Sequence, residues 1–167
     1  MKSPVFICGM PGSGKSTIGK KLASRLGAIF IDLDTFVEQQ TGKSPAVWIT
    51  QDGEMAFRKV ESQVLRNLDL KSFAVVSCGG GTPCFNGNLD WMLQLGRVVY
   101  LDLPIGMVLQ RLKQAEVDER PLLKGFFSIE GLTELHEKRK LWYNRIPLIF
   151  RPHEEKLEKL VERLKSF

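Results

Sequence analysis

A short apolar run, Val5-Phe-Ile-Cys8, passes without a polar break into Gly9-Met-Pro-Gly-Ser-Gly-Lys15-Ser16. Directly afterwards Ile18, Leu22 and Leu26 recur at helical spacing, and Gly27 supplies a stop. Strand, glycine loop and helix in that order leave few folds open. The loop fits the P-loop spacing, Gly-x4-Gly-Lys-Ser/Thr. Glycines free the backbone to curl, so that consecutive N–H groups converge on phosphate oxygens, and the helix adds its positive N-terminal end. Lys15 is placed to reach β- and γ-phosphates, and the Ser16 hydroxyl suits Mg²⁺. A nucleoside triphosphate is the expected ligand.

The rest of the chain repeats the alternation. Strands are expected at Val5–Cys8, Ala28–Ile31, Phe73–Ser77, Arg97–Leu103 and, more weakly, Ile146–Phe150. Each is apolar at nearly every residue, the pattern of strands covered on both faces. Between them, Thr35 and Glu38 have capping-box spacing, and Ser44-Pro45 pairs a cap with a first-turn proline. Phe57, Val60, Val64 and Leu68 mark one apolar helix face, Leu132, Leu135 and Trp142 another. Leu157, Leu160, Val161 and Leu164 mark the last. The order predicts a single α/β domain over 1–167, a three-layer sandwich with a parallel sheet of about five strands between helices.

Other residues gather where such sheets bind ligands, at the carboxyl ends of the strands. In Ile31-Asp32-Leu33-Asp34 the aspartates are two apart, so on a strand both would leave one face. Asp32 is then placed to hold a water on Mg²⁺, and Asp34 to take a proton from an attacking hydroxyl. The alternative is that one of them only caps the next helix. Arg58 and Glu61, three apart on a helix, make either a weak surface ion pair or a brace for a guanidinium that grips a carboxylate. Gly79-Gly80-Gly81 after a buried strand exceeds what a turn requires, and predicts that a ligand packs on bare backbone. The polar, proline- and glycine-punctuated segment near 112–126 reads as a mobile lid, with Arg120 offering charge to a transferring phosphoryl group.

Taken in order, GMPGSGKST, DLD, DGEMAFRKVE, the triple glycine, RPLL and Arg139-Lys-Leu-Trp-Tyr143 resemble the shikimate kinases. That family has the small P-loop kinase fold, like the nucleoside monophosphate kinases, and phosphorylates the 3-hydroxyl of shikimate with MgATP. The resemblance implies that Gly12, Ser13, Gly14, Lys15, Ser16 and Thr17 hold the ATP phosphates, with Ser16 and Asp32 serving the metal. It implies that Asp34 is the base and contacts the ring hydroxyls, and that Arg58 and Arg139 clamp the carboxylate, Glu61 steadying Arg58. Gly79, Gly80 and Gly81 would bring backbone to the ring, Arg111 would lie against adenine, and Arg120 would face the phosphates from the lid. Residues 144–152 depart from the family pattern, being short and leading at once into the last helix.

Composition fits such an enzyme. Net charge is +5 and the pI about 9.2, which favours anionic ligands, yet no block of like charges or aromatic interleaving points to nucleic acid. No apolar run approaches a membrane span, and the three cysteines and two histidines show no disulfide framework or metal spacing. A cytoplasmic monomer with shikimate and ATP as its partners is expected. The rivals are a small P-loop kinase for another hydroxy acid or a nucleotide, and a non-catalytic nucleotide sensor or nucleic-acid-binding module that exploits the basic pI.

Overall fold

A computed structural model describes residues 3–70, 73–114 and 126–166. Arg120 and most of the expected lid over 112–126 lie outside the described residues. The sheet has five parallel strands: β1 Val5–Cys8, β2 Ile29–Asp32, β3 Ala74–Ser77, β4 Arg97–Leu101 and β5 Leu148–Phe150. Their order is β2-β3-β1-β4-β5, with β1 central. The chain winds from β1 to one edge and then crosses to the other, so the loop after β1 opens at the point where the winding reverses. Crevices for ligands form there in open parallel sheets.

Eight helices surround the sheet among the described residues: α1 Lys15–Leu26, α2 Leu33–Thr41, α3 Pro45–Asp52, α4 Glu54–Arg66, α5 Asn88–Leu95, α6 Ile105–Gln114, α7 Ile129–Tyr143 and α8 Leu157–Lys165. None is long and apolar enough to cross a membrane. The pleat of β1 divides the core. Val5 and Ile7 pack with Leu22, Leu26, Phe150 and Leu160 on the α1/α8 side. Phe6 and Cys8 pack with Leu33, Met92, Leu132 and Tyr143 on the other.

Several expected boundaries move, for identifiable reasons. The second strand is displaced by one residue and, lying at the edge, leaves Ile29 48% exposed, so it is not covered on both faces. β3 starts at Ala74, one residue later than expected. β4 ends at Leu101, since Pro104 follows closely, and its carbonyl accepts from Met107 and Val108 as α6 begins. Pro147 has no N–H for the ladder, and β5 begins after it. The capping box at Thr35 and Glu38 does not form: the cap of α2 is Asp32, which accepts from the Thr35 N–H at 3.4 Å. Ser44 caps α3 as expected, accepting from Val47 N–H.

Gly96 shows how closely the chain returns to the sheet. A Cβ there would collide with the Pro4 carbonyl oxygen, which itself accepts from the Arg97 N–H. Gly96→Ala should therefore cost about 1–3 kcal/mol of stability, typical of overpacking, without touching the ligand crevice. Thermal and urea unfolding check this; wild-type stability would contradict it.

Candidate active site

The phosphate loop is built as its glycines require. Gly14, with φ of 93°, forms the left-handed entry to α1, and Gly12 sits at φ of 77°. Lys15 opens the helix and turns its ammonium back under the loop, donating to the Gly9 and Met10 carbonyls at 3.0 and 2.8 Å. Ser16 and Thr17 are exposed in the first turn, while Ser13 is buried within the loop. Arg111 of α6 donates from Nη1 to the Ser13 carbonyl at 2.8 Å, which places it on the loop itself.

Beside the loop three oxygens converge. The Ser16 hydroxyl donates to Asp32 Oδ2 at 2.6 Å and lies 3.3 Å from Ser77 Oγ at the end of β3. These are hard donors with a single carboxylate, a set that suits a largely hydrated Mg²⁺. Among the described residues no cluster of three or more His, Cys, Asp or Glu is placed to hold a metal ion.

Asp32 and Asp34 do not leave one face of a strand. The strand ends at Asp32, which becomes the cap, and Asp34 lies in the first turn of α2. Helical geometry, in place of strand alternation, carries Asp34 towards the triple glycine: a Cβ built on Gly79 would stand 3.4 Å from Asp34 Oδ1 and 2.9 Å from Glu61 Oε1.

The triple glycine is a bed for arginines. No left-handed φ occurs in it, so conformational freedom is not what it supplies. It supplies room. A Cβ on Gly81 would collide with the Arg58 guanidinium, and one on Gly80 would meet Arg139 Nη1 and Pro11 Cδ, each at 2.9 Å. The expectation that a ligand needs this bare backbone is thus modified, because side chains occupy part of it.

The two arginines differ in how their charge is met. Arg58, 3% exposed, donates to the fully buried Glu61 at 2.9 Å and, over a longer 3.3 Å, to Glu54. Its guanidinium also lies over the rings of Phe57 and Phe85. Thr82 completes the carboxylate, donating to Glu61 at 2.8 Å. Arg139, 8% exposed, leaves Nη1 buried with no hydrogen-bond partner among the described residues. A buried cationic donor of this kind calls for an anionic acceptor. Cys84 nearby does not provide one: burial pushes its thiol up to about 11, outweighing the opposing pull of Arg139 and then Arg58.

Ser77, Thr82 and the two asparagines behind α4 were not singled out in the sequence. Asn86 donates to the Arg58 carbonyl and to Ser62 Oγ, while Asn88 donates to Ser62 Oγ and the Thr82 carbonyl. The available signal was Asn86-Gly87, a turn dipeptide whose residues both take positive φ, 51° and 66°.

Comparison with known proteins bears on the family and the fold. A sequence model of the shikimate kinase family matches residues 11–167. A shikimate kinase from Bacteroides thetaiotaomicron is 33% identical over 97% of this chain and 96% of its own length. The chain belongs to the shikimate kinase family. Another family member, from Persephonella marina, is 39% identical over 83% of this chain and 82% of its own. The crystal structure of the Bacteroides thetaiotaomicron kinase superimposes with a TM-score of 0.86 at 32% identity, covering 98% of this chain and 97% of that one. The Acinetobacter baumannii shikimate kinase, solved in complex with shikimate, gives 0.86 at 29% identity over 98% and 91%. A gluconokinase from Sinorhizobium meliloti shares the fold alone, with a TM-score of 0.59 at 16% identity.

For this shikimate kinase fold the buried Arg58–Glu61 pair is a structural necessity as well as a site feature. Glu61→Ala leaves the buried guanidinium only its longer contact with Glu54 and should cost about 3–5 kcal/mol. Thr82→Val removes one donor from the carboxylate and should cost about 1–3 kcal/mol. Urea denaturation of the two variants checks the order; equal, negligible losses would contradict it.

Proposed function

We propose that this chain transfers the γ-phosphoryl group of ATP to the 3-hydroxyl of shikimate. The observation that carries the reading is at Gly80, where Arg139 and Pro11 of the phosphate loop share the space that a Cβ would fill. A carboxylate gripped by Arg139 and a phosphate chain cradled by the loop would share one hollow. Family membership supports the same chemistry.

In this reading Arg139 and the braced Arg58 hold the shikimate carboxylate, and Gly79–Gly81 give the ring a flat seat. Asp34 orients the 3-hydroxyl and accepts its proton as the oxygen attacks the γ-phosphorus, while the bond to the bridging oxygen of ADP breaks. Backbone N–H groups of Gly12 to Thr17 hold the phosphates in line, and Lys15 exchanges its loop carbonyls for phosphate oxygens. Ser16, with Asp32 through water, would hold Mg²⁺. Bound there, the ion offsets charge on the phosphate oxygens. Arg120 and the segment over 112–126 act as the cover that excludes water, since water is the competing nucleophile. Arg111, tied to the loop at Ser13, supports the phosphate cradle and flanks the nucleotide.

ADP release in the presence of ATP and Mg²⁺ should depend on shikimate, and no such dependence would defeat the reading. Asp34→Asn should keep ATP affinity and lose about 100-fold or more in kcat, the scale of general-base catalysis. Arg139→Ala should raise the KM for shikimate about 100-fold, consistent with loss of a buried charge contact. Near-normal turnover of the first variant removes Asp34 from the chemistry.

A further inference from the structure

Tyr143 closes the segment Arg139–Tyr143, and none of the roles assigned above uses it. It is 1% exposed at the last turn of α7, one helical turn after Arg139 and on the same side. Its hydroxyl donates to the Gly80 carbonyl at 2.7 Å and stands 4.0 Å from Met10 Sδ. Arg139 and Tyr143 thus reach the same glycine, one over its Cα and the other at its carbonyl. On the opposite side, the Met10 carbonyl accepts from Lys15 Nζ at 2.8 Å. The phenol oxygen therefore stands between the clamp for the acceptor and the residue that carries the lysine of the donor loop.

The ring is not free to relax. It stacks on Tyr100 with centroids 4.7 Å apart and planes 22° from parallel. Tyr100 lies on β4 opposite Cys8, the last residue before the phosphate loop, and its own hydroxyl is 3.1 Å from His136 Nε2 on α7. Burial, against the opposing pull of Arg139, holds the Tyr143 phenol well above its ordinary titration range, so the hydroxyl remains a neutral donor. Its single proton goes to the near, well-placed carbonyl and fixes the plane of the Gly80 peptide.

We propose that Tyr143 is a positioning residue for phosphoryl transfer, its hydroxyl setting the separation between the carboxylate clamp and the phosphate loop by its hydrogen bond to Gly80 and its packing against Met10. This rests on the kinase reading above. Removing the hydroxyl leaves each substrate its own contacts, with Arg139 and Arg58 on one side and the loop on the other. What changes is the register between attacking oxygen and phosphorus, to which rate is far more sensitive than binding.

Tyr143→Phe tests this, since it keeps the stacked ring. Expected are a kcat lowered about tenfold, KM values for shikimate and ATP within about threefold, and a circular dichroism spectrum like the wild type's. A kcat within about twofold of wild type overturns the proposal, as does a raised KM with unchanged kcat, which would mark ordinary ground-state binding. Should that variant not fold, the two tyrosines of the chain can be replaced biosynthetically by 3-fluorotyrosine and followed by ¹⁹F NMR. The Tyr143 resonance, assigned with Tyr100→Phe, should move on adding shikimate alone and on adding ADP alone. Indifference to either ligand overturns the proposal. A wild-type enzyme without shikimate-dependent ADP release overturns the kinase reading too, whereas an active wild type with an unaltered Phe variant overturns only the role of Tyr143.

Discussion

Everything in the crevice depends on guanidinium groups lying on backbone that has no side chains. Arg58 and Arg139 are both nearly buried, and each takes its place because Gly81 and Gly80 offer no Cβ. Burying an arginine is costly unless its donors are met. The structure resolves that cost in two ways. Glu61, itself held by Thr82, meets Arg58 inside the protein, while Arg139 keeps one buried donor with no hydrogen-bond partner among the described residues. One arginine is therefore part of the architecture, and the other keeps a donor to spare.

The same economy of backbone governs the junction with the phosphate loop. Pro11 lies against Gly80, so the glycine run touches the P-loop directly, with no intervening layer. The parallel sheet makes this possible: β1 and β3 are neighbours in register, and the loops leaving their carboxyl ends start side by side. Asp34 and Ser16 reach the crevice from helices that begin at that same end, α2 after β2 and α1 after β1.

Much of this was legible in the sequence, and the exceptions share a cause. Glycine-loop spacing located the turn between β1 and α1, and unbroken apolar runs located all five strands within two residues at each end. Strand alternation failed at Asp32-Leu-Asp34 because the cap took over at Asp32, a competition between extended and helical backbone that spacing alone does not decide. An apolar template described α4 by Phe57 and Val64 and missed that Arg58, Glu61 and Ser62 share its buried side. Buried polar residues stay unseen by hydrophobic periodicity; only their partners, Thr82, Asn86 and Asn88, distinguish them from surface charge. The same holds for α5, whose Leu89 and Met92 are too few to declare a helix without the turn before it.

If bare backbone at Gly80 is what lets donor and acceptor meet, one methyl group there should be decisive. Steady-state kinetics of Gly80→Ala, with its unfolding midpoint measured alongside, is the most direct test. The account predicts a folded protein whose shikimate-dependent kcat/KM falls by about 100-fold or more, the scale of a small misplacement of reacting groups. A folded variant with kcat/KM within about twofold of wild type would contradict it.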